Sequence, residues 1–199
     1  LLSTATISLT IDPVNDAPVL ATVSPVSFNE NGSGSTSLSG SDVDLDELTY
    51  SITVGVDITA SLTGSDVTFS APLNFNGSEF FTASVSDGEY TDSYTFTVTV
   101  NAVNDPPVAN SASATTNEDQ SIVITLTGSD IDGDNLIFSL DTDAENGGVT
   151  IDGSLATYIP NTNFNGDDSF SFSVTDGDLS DTAQVSVSVS AVNDTPVLA

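Results

Sequence analysis

Three stretches of the chain alternate apolar and polar residues with a period of two: Ile7, Leu9 and Ile11; Phe96, Val98 and Val100; Val185, Val187 and Val189. That period belongs to a strand with one buried face. Residues 4–11 are therefore expected to be an extended strand with Ile7, Leu9 and Ile11 on one side. The same alternation in Ile122, Ile124 and Leu126, and in Phe170, Phe172 and Val174, predicts further half-buried strands. Runs at 136–140, 148–151 and 154–159, with another near 111–116, bring the count to roughly seven per copy, the number of an immunoglobulin-like sandwich. No stretch carries a helical period. Ser, Thr, Val, Ile and Phe fill the runs between Gly, Asn and Asp turns. The aromatic residues Phe75, Phe81, Phe164 and Phe170 are expected in the cores.

The strands are organised by a repeat. Val14-Asn15-Asp16-Ala17-Pro18-Val19, Val103-Asn104-Asp105-Pro106-Pro107-Val108 and Val192-Asn193-Asp194-Thr195-Pro196-Val197 are spaced by 104 − 15 = 193 − 104 = 89 residues. Such an interval is too long for a solenoid and matches a small sandwich, so the hexamers mark joints between copies of one domain. Proline at each joint stops a strand and stiffens the crossing. The expected organisation is 1–19 as the last strand of a preceding repeat plus its joint, 20–105 and 106–194 as two repeats, and 195–199 as the start of another. The expected fold class is all-β: tandem seven-stranded Greek-key β-sandwiches. Between the Asp-x-Asp loop and the Asn-Phe-Asn-Gly turn the first copy is one residue shorter, so the two copies are expected to differ around 55–66 and 143–154.

Charge narrows the chemistry. The 199 residues include 29 Asp and Glu and no Lys, Arg or His. No side chain can neutralise a carboxylate, so metal ions or solvent must. This excess repels nucleic acid and anionic membrane surfaces, and no apolar run approaches a membrane span. Without Cys there is neither a disulfide framework nor a thiolate metal site.

The acids recur with the period. Glu30 and Glu118 open the copies, Asp42-Val43-Asp44 and Asp130-Ile131-Asp132 follow, and Asp87-Gly88 and Asp176-Gly177 come late. Asp-x-Asp in a turning backbone suits a hard cation with oxygen ligands, and calcium fits better than magnesium or the nitrogen- and sulfur-seeking metals. Asp130-Ile131-Asp132-Gly133-Asp134 imitates an EF-hand loop, but its Gly stands at position four and strand patterns flank it where helices are required. Asp57, Asp66, Asp92, Asp141, Asp143, Asp152 and Asp181 show no convincing alignment between copies and read as solubilising surface charge. Asp-Gly alone is also a common hairpin turn.

The early Glu, the Asp-x-Asp loop, the late Asp-Gly and the Asn-Asp-x-Pro joint together resemble the calcium positions of cadherin repeats, in the form found in tandem arrays of large bacterial surface adhesins. The resemblance implies calcium at the joints between repeats. Glu30, Asn104, Asp105, Asp130, Asp132 and Asp176 would share the complete junction. Asn15, Asp16, Asp42, Asp44 and Asp87 would serve one with a preceding copy, and Glu118, Asn193 and Asp194 one with a following copy. Glu79 and Asp168 fill the place of the cadherin Asp-Arg-Glu element only approximately, and each joint lacks the second Asn of the cadherin pattern.

The resulting expectation is a non-enzymatic, calcium-stiffened spacer of an extracellular bacterial adhesin or matrix fibre on the cell surface. Its partners would be neighbouring repeats or same-type subunits, with host or matrix glycans met through other regions. Two other classes remain: a β-sandwich module that binds a glycan or protein, and a fibre subunit completed by a donated strand. Glycoside hydrolysis by a carboxylate pair is disfavoured, because the acids repeat at turns without a cleft-forming insertion.

Overall fold

A computed structural model describes residues 4, 6–12 and 14–195. The chain divides into two units, Leu1–Val103 and Asn104–Ala199. The division falls just inside the second joint, because Asn104 and Asp105 are hydrogen-bonded to Asp176 and Asp132 of the unit that follows. Of residues 195–199, expected to begin another repeat, 196–199 lie outside the described residues.

Unit 1 contains β1 (Val19–Leu20), β2 (Val26–Asn29), β3 (Ser33–Ser37), β4 (Gly40–Ser41), β5 (Thr49–Ile52), β6 (Thr59–Thr63), β7 (Asp66–Ser70), β8 (Gly77–Ser86) and β9 (Thr91–Asn101). One sheet runs β2-β9-β8-β5, a second runs β3-β7-β6, and β1 pairs with β4. The chain leaves β4's side at β1 and joins β9 in parallel at β2, so the first strand changes sheet. Counting β1 with β2 and β3 with β4, the nine segments make the seven strands of an immunoglobulin-like sandwich. No helix occurs among the described residues.

Unit 2 repeats the plan with β10 (Val108–Asn110), β11 (Ala112–Asn117), β12 (Ile122–Thr125), β13 (Thr127–Ser129), β14 (Ile137–Thr142), β15 (Gly147–Asp152), β16 (Leu155–Pro160), β17 (Gly166–Thr175) and β18 (Ser180–Ser190). The expected strands of this copy are all present. The β10–β13 and β1–β4 ladders were not foreseen, because segments of two or three residues carry no periodicity to read.

Alternation decides the cores. Phe81, Ala83 and Val85 of β8 and Phe96, Val98 and Val100 of β9 point inward, and Phe69 meets Phe81 and Phe96 edge-on at 5.1 and 6.0 Å between ring centroids. In unit 2 the position of Phe69 is taken by Tyr158, equally buried, whose hydroxyl donates to Asp168 at 2.9 Å. Phe170 is buried in the second core, while Phe75 and Phe164 lie half-buried at the edges of their cores. The Asn-Phe-Asn-Gly motif is a structural turn: Asn31 and Asn74, both with positive φ, exchange two hydrogen bonds of 2.9 Å.

Three expectations need correction. Residues 6–12 form no strand, and Ile7, Leu9 and Ile11 are 91, 84 and 83% exposed. Period-two sequence makes a strand only where a neighbouring backbone supplies the ladder, and none is found here among the described residues; Ala5 lies outside them. The one-residue difference between copies is absorbed earlier than expected, at Asp141. Leu140 faces Phe172 and Thr142 faces Ser171, so Asp141 bulges out of β14, and its carboxylate accepts the Ser171 hydroxyl at 2.7 Å. Finally, Asp92 and Asp181 are equivalent rather than unaligned surface acids. They are 181 − 92 = 89 apart, and each accepts a backbone N–H from the first strand of its unit: Leu20 at 2.8 Å and Ala109 at 2.9 Å.

If Asp141 is an inserted bulge, deleting it should restore the uninterrupted β5–β8 register to β14–β17. Unit 2 should then stay folded with a stability change below about 1 kcal/mol, whereas deleting Ser139, which turns every later side chain of β14 to the other face, should cost several times more. Denaturant unfolding of the two deletions checks this; equal losses would remove the bulge assignment.

Candidate metal centre

Three separated segments meet in each unit. In unit 2 they are the chain start at Asn104-Asp105, the loop leaving β13 at residues 130–134, and the β17–β18 turn at Asp176. Asn104 donates its side-chain amide to Asp176 Oδ2 at 2.9 Å, and the Asp105 N–H donates to Asp132 Oδ2 at 2.8 Å. In unit 1 Asn15 donates to Asp87 Oδ2 at 3.1 Å and the Asp16 N–H to Asp44 Oδ2 at 2.7 Å. The two copies thus build the same arrangement.

The loop itself is a nest of amides around one carboxylate. Asp130 Oδ1 accepts the N–H groups of Asp132 at 2.8 Å and Asp134 at 3.4 Å. Asp42 Oδ1 accepts those of Asp44 at 2.8 Å and Asp46 at 3.5 Å. The reversal between them needs a left-handed residue, supplied by Gly133 at φ 81° in unit 2 and by Leu45 at φ 66° in unit 1. A leucine there is strained by about 1 kcal/mol or more, so the Asp42 hydrogen bonds override its preference.

The geometry gathers carboxylate oxygens. Asp130, Asp132 and Asp134 each offer an oxygen within 4.8 Å of the others, and Asp42, Asp44 and Asp46 do the same. Asp42 Oδ2 and Asp130 Oδ2 are buried and have no hydrogen-bond partner. Buried carboxylate oxygens are ordinarily satisfied, and this chain has no cationic side chain to do it. A hard divalent cation with oxygen ligands fits this donor set. Asp46 and Asp134 were not among the residues selected from sequence, although the third Asp of each Asp-x-Asp-x-Asp run was the signal for them.

The turn acids are held ionised. The Leu179 N–H, the Asn104 amide and the Asp178 N–H lower the Asp176 carboxyl below its ordinary range. For Asp87 the Tyr90 N–H dominates, with Glu89 and Asn15 adding to it against a smaller desolvation effect.

The remaining candidates have other partners. Glu30 and Glu118 are 5 and 7% exposed, and each donates nothing but accepts: Glu30 Oε1 from the Val103 N–H and Glu118 Oε1 from the Val192 N–H. Glu30 Oε2 is buried without a partner, whereas Glu118 Oε2 accepts from Asn165 at 3.4 Å. Asn193 and Asp194 are exposed, and the Asn193 amide donates to the Asp194 carbonyl at 3.1 Å. Glu79 and Asp168 have loop backbone as partners. Glu79 accepts the N–H groups of Val56, Asp57 and Ile58 at 2.9, 2.7 and 3.2 Å, which outweigh desolvation and lower its pKa. Asp168 accepts those of Glu145 and Asn146 at 3.2 and 3.0 Å. Both acids tie down the loop after the fifth strand of their unit.

A family model described as bacterial Ig domain matches residues 15–101 and again 104–188. The chain belongs to the bacterial Ig domain family. Its two Ig domains coincide with the two units of the fold. Human protocadherin-24 EC1-2 Form II is similar in structure, with a TM-score of 0.56 at 19% identity over 92% of this chain and 100% of that one. Protocadherin gamma B7 extracellular cadherin domains 1-4 give a TM-score of 0.52 at 13% identity over 86% of this chain and 50% of theirs. These likenesses concern the fold alone. An endo-fucoidan hydrolase of glycoside hydrolase family 107 also matches, at a TM-score of 0.39 and 20% identity over 88% of this chain; the chain spans 29% of its length. No curated protein sequence matches.

Because the Asp176 carboxyl has a depressed pKa in the folded state, its contribution is complete above the ordinary value of 3.8 and is lost as pH falls through the lower folded value. In chelator, the melting-temperature gap between wild type and Asp176→Asn should be constant above about pH 5 and close below about pH 4. A gap that widens on acidification would contradict the assigned hydrogen bonding.

Proposed function

We propose that this pair of Ig domains is a calcium-stiffened spacer in an extracellular bacterial surface adhesin or matrix fibre, with calcium taken up at the joints between repeats. The observation that carries the reading is the duplicated carboxylate cluster, Asp42/Asp44/Asp46 and Asp130/Asp132/Asp134, in a chain without one basic side chain. Asn104, Asp105 and Asp176 complete the donor set of unit 2, as Asn15, Asp16 and Asp87 do in unit 1. Bound calcium would supply the positive charge these acids lack. The protein's own residues do the rest: backbone amides aim the carboxylates, and prolines at each joint limit the chain. Repetition of the cluster in every unit favours a structural role over a unique binding or catalytic site.

The test is small-angle scattering and thermal unfolding with calcium and with chelator. Chelation should shorten the mean end-to-end distance and lower the melting temperature. Asp130→Asn combined with Asp132→Asn should reproduce both effects, and Asp152→Asn neither. Scattering profiles that coincide under the two conditions would leave a proline-stiffened linker as the better account.

A second reading is favoured by the 83–91% exposure of Ile7, Leu9 and Ile11, whose counterparts Phe96, Val98 and Val100 are core. In it, residues 6–12 add as a strand to another copy. Sedimentation should then show concentration-dependent polymers that Leu9→Asp abolishes; a strictly monomeric wild type removes this reading.

A further inference from the structure

We infer that Asp181, and Asp92 in unit 1, are positioning residues for the cation cluster of their own unit. They hold the unit's first strand where the joint and the Asp-x-Asp-x-Asp loop can meet the turn carboxylate. The inference rests on the calcium reading above and names residues that reading does not use.

The cluster of unit 2 draws on segments with no common strand. Two of them travel together: Asp105 lies three residues before β10, Asp130 directly follows β13, and β10 pairs with β13 through Val108–Ser129 and Ala109–Gly128. The third, Asp176, belongs to the β17–β18 hairpin. The short β10–β13 ladder is docked on that hairpin by the Ala109 N–H, which donates to Asp181 Oδ2 at 2.9 Å. Asp181 is the second residue of β18, opposite Val174 of β17, and so lies just beyond the turn that carries Asp176. The same construction occurs in unit 1. β1 pairs with β4 through Val19–Ser41 and Leu20–Gly40, Asp42 follows β4, and the Leu20 N–H donates to Asp92 Oδ2 at 2.8 Å.

Neither acid is placed as a ligand. Asp92 accepts the Leu20 N–H on Oδ2 and the Ser93 N–H at 2.8 Å on Oδ1, so both its oxygens have backbone partners, and Asp181 is hydrogen-bonded by the Thr182 N–H as well as by that of Ala109. Nor does surface solubility explain them, since one hydrogen-bond geometry recurs at an interval of 89 residues. What each supplies is an acceptor at a fixed place. Groups that orient metal ligands without touching the metal typically change affinity by 10–100-fold when removed.

The discriminating comparison is Asp181→Asn against Asp181→Ala in the full chain. Asparagine keeps an oxygen for the Ala109 N–H and removes the charge; alanine removes both. Calcium titrations followed by 15N–1H spectra give residue-resolved affinities from the Asp132 and Gly177 amides, and the unit 1 amides of Asp44 and Gly88 serve as internal reference. The expected result is roughly 10-fold or greater weakening at unit 2 in Asp181→Ala, less than about threefold in Asp181→Asn, and no change at unit 1. Stability in chelator should fall less than affinity, which a purely structural strand residue would not produce. If Asp181→Ala does not fold, Asp181→Ser, whose hydroxyl is too short to reach Ala109, replaces it. Equal weakening by Asn and Ala would show that charge, not placement, is the contribution and would overturn the inference, as would unchanged affinity in Asp181→Ala. A wild type whose spectra do not respond to calcium would instead overturn the calcium reading, and this inference with it.

Discussion

The structure depends on one constraint: 29 acidic side chains with no Lys, Arg or His to meet them. Folding an acidic domain without counter-charges leaves neutral donors, backbone amides above all with Asn, Ser and Tyr side chains beside them, and the hydrogen bonds follow that logic. Glu79 and Asp168 bind loop amides, Asp92 and Asp181 bind first-strand amides, and Asp87, Asp176, Asp42 and Asp130 bind amides of their own turns. Amide hydrogen bonds to a carboxylate are charge-assisted and favour the ionised form. They also do something a salt bridge cannot. Each fixes a backbone segment in place, so the acids serve as clips between loops that the sheets alone would leave apart.

Two different fates result for a carboxylate. Where both oxygens receive an N–H, as in Glu79 and Asp168, the acid is satisfied and its work is structural. Where only one does, as in Asp42 and Asp130, the second oxygen is buried without a partner. Glu30, with one oxygen on the Val103 N–H and the other buried without a partner, shares this second state, which sets it and the Asp-x-Asp loops apart from the acids that only clip loops. The comparison within one chain strengthens it, because Leu45 in unit 1 adopts the left-handed geometry of Gly133 in unit 2. A loop that merely needed solvated acids would have no reason to impose φ 66° on a leucine.

Much of this was legible in the sequence. Phe81, Ala83 and Val85, like Phe170, Phe172 and Val174, announce inward faces by period alone, and the spacing of the Val-Asn-Asp-x-Pro-Val joints fixes the unit size. Residues that pair across the fold were not legible. Asp92 and Asp181 carry no motif, and their role follows from the sheet change of the first strand, a tertiary event. Asp141 could be located only by register, because an inserted residue leaves no mark on composition. Ile7, Leu9 and Ile11 show the opposite failure, a clear strand pattern with no ladder to join.

Val103 and Asn104 show how closely the joint is divided between the two units. The Val103 N–H donates to Glu30, a residue of unit 1 that is 5% exposed, while the next residue's side chain donates to Asp176 of unit 2. Burying a carboxylate is unfavourable unless its hydrogen bonds are met, so Glu30 has a strong preference for a chain that delivers an N–H at residue 103. Glu118 and Val192 repeat the bond in unit 2. An early Glu thus fastens the last residues of each unit, and the Asn-Asp pair at 104–105 fastens the start of unit 2. Proline at 106 and 107 continues that economy on the downstream side, where Pro107 is buried and its fixed φ removes a degree of freedom that other residues would lose only on folding.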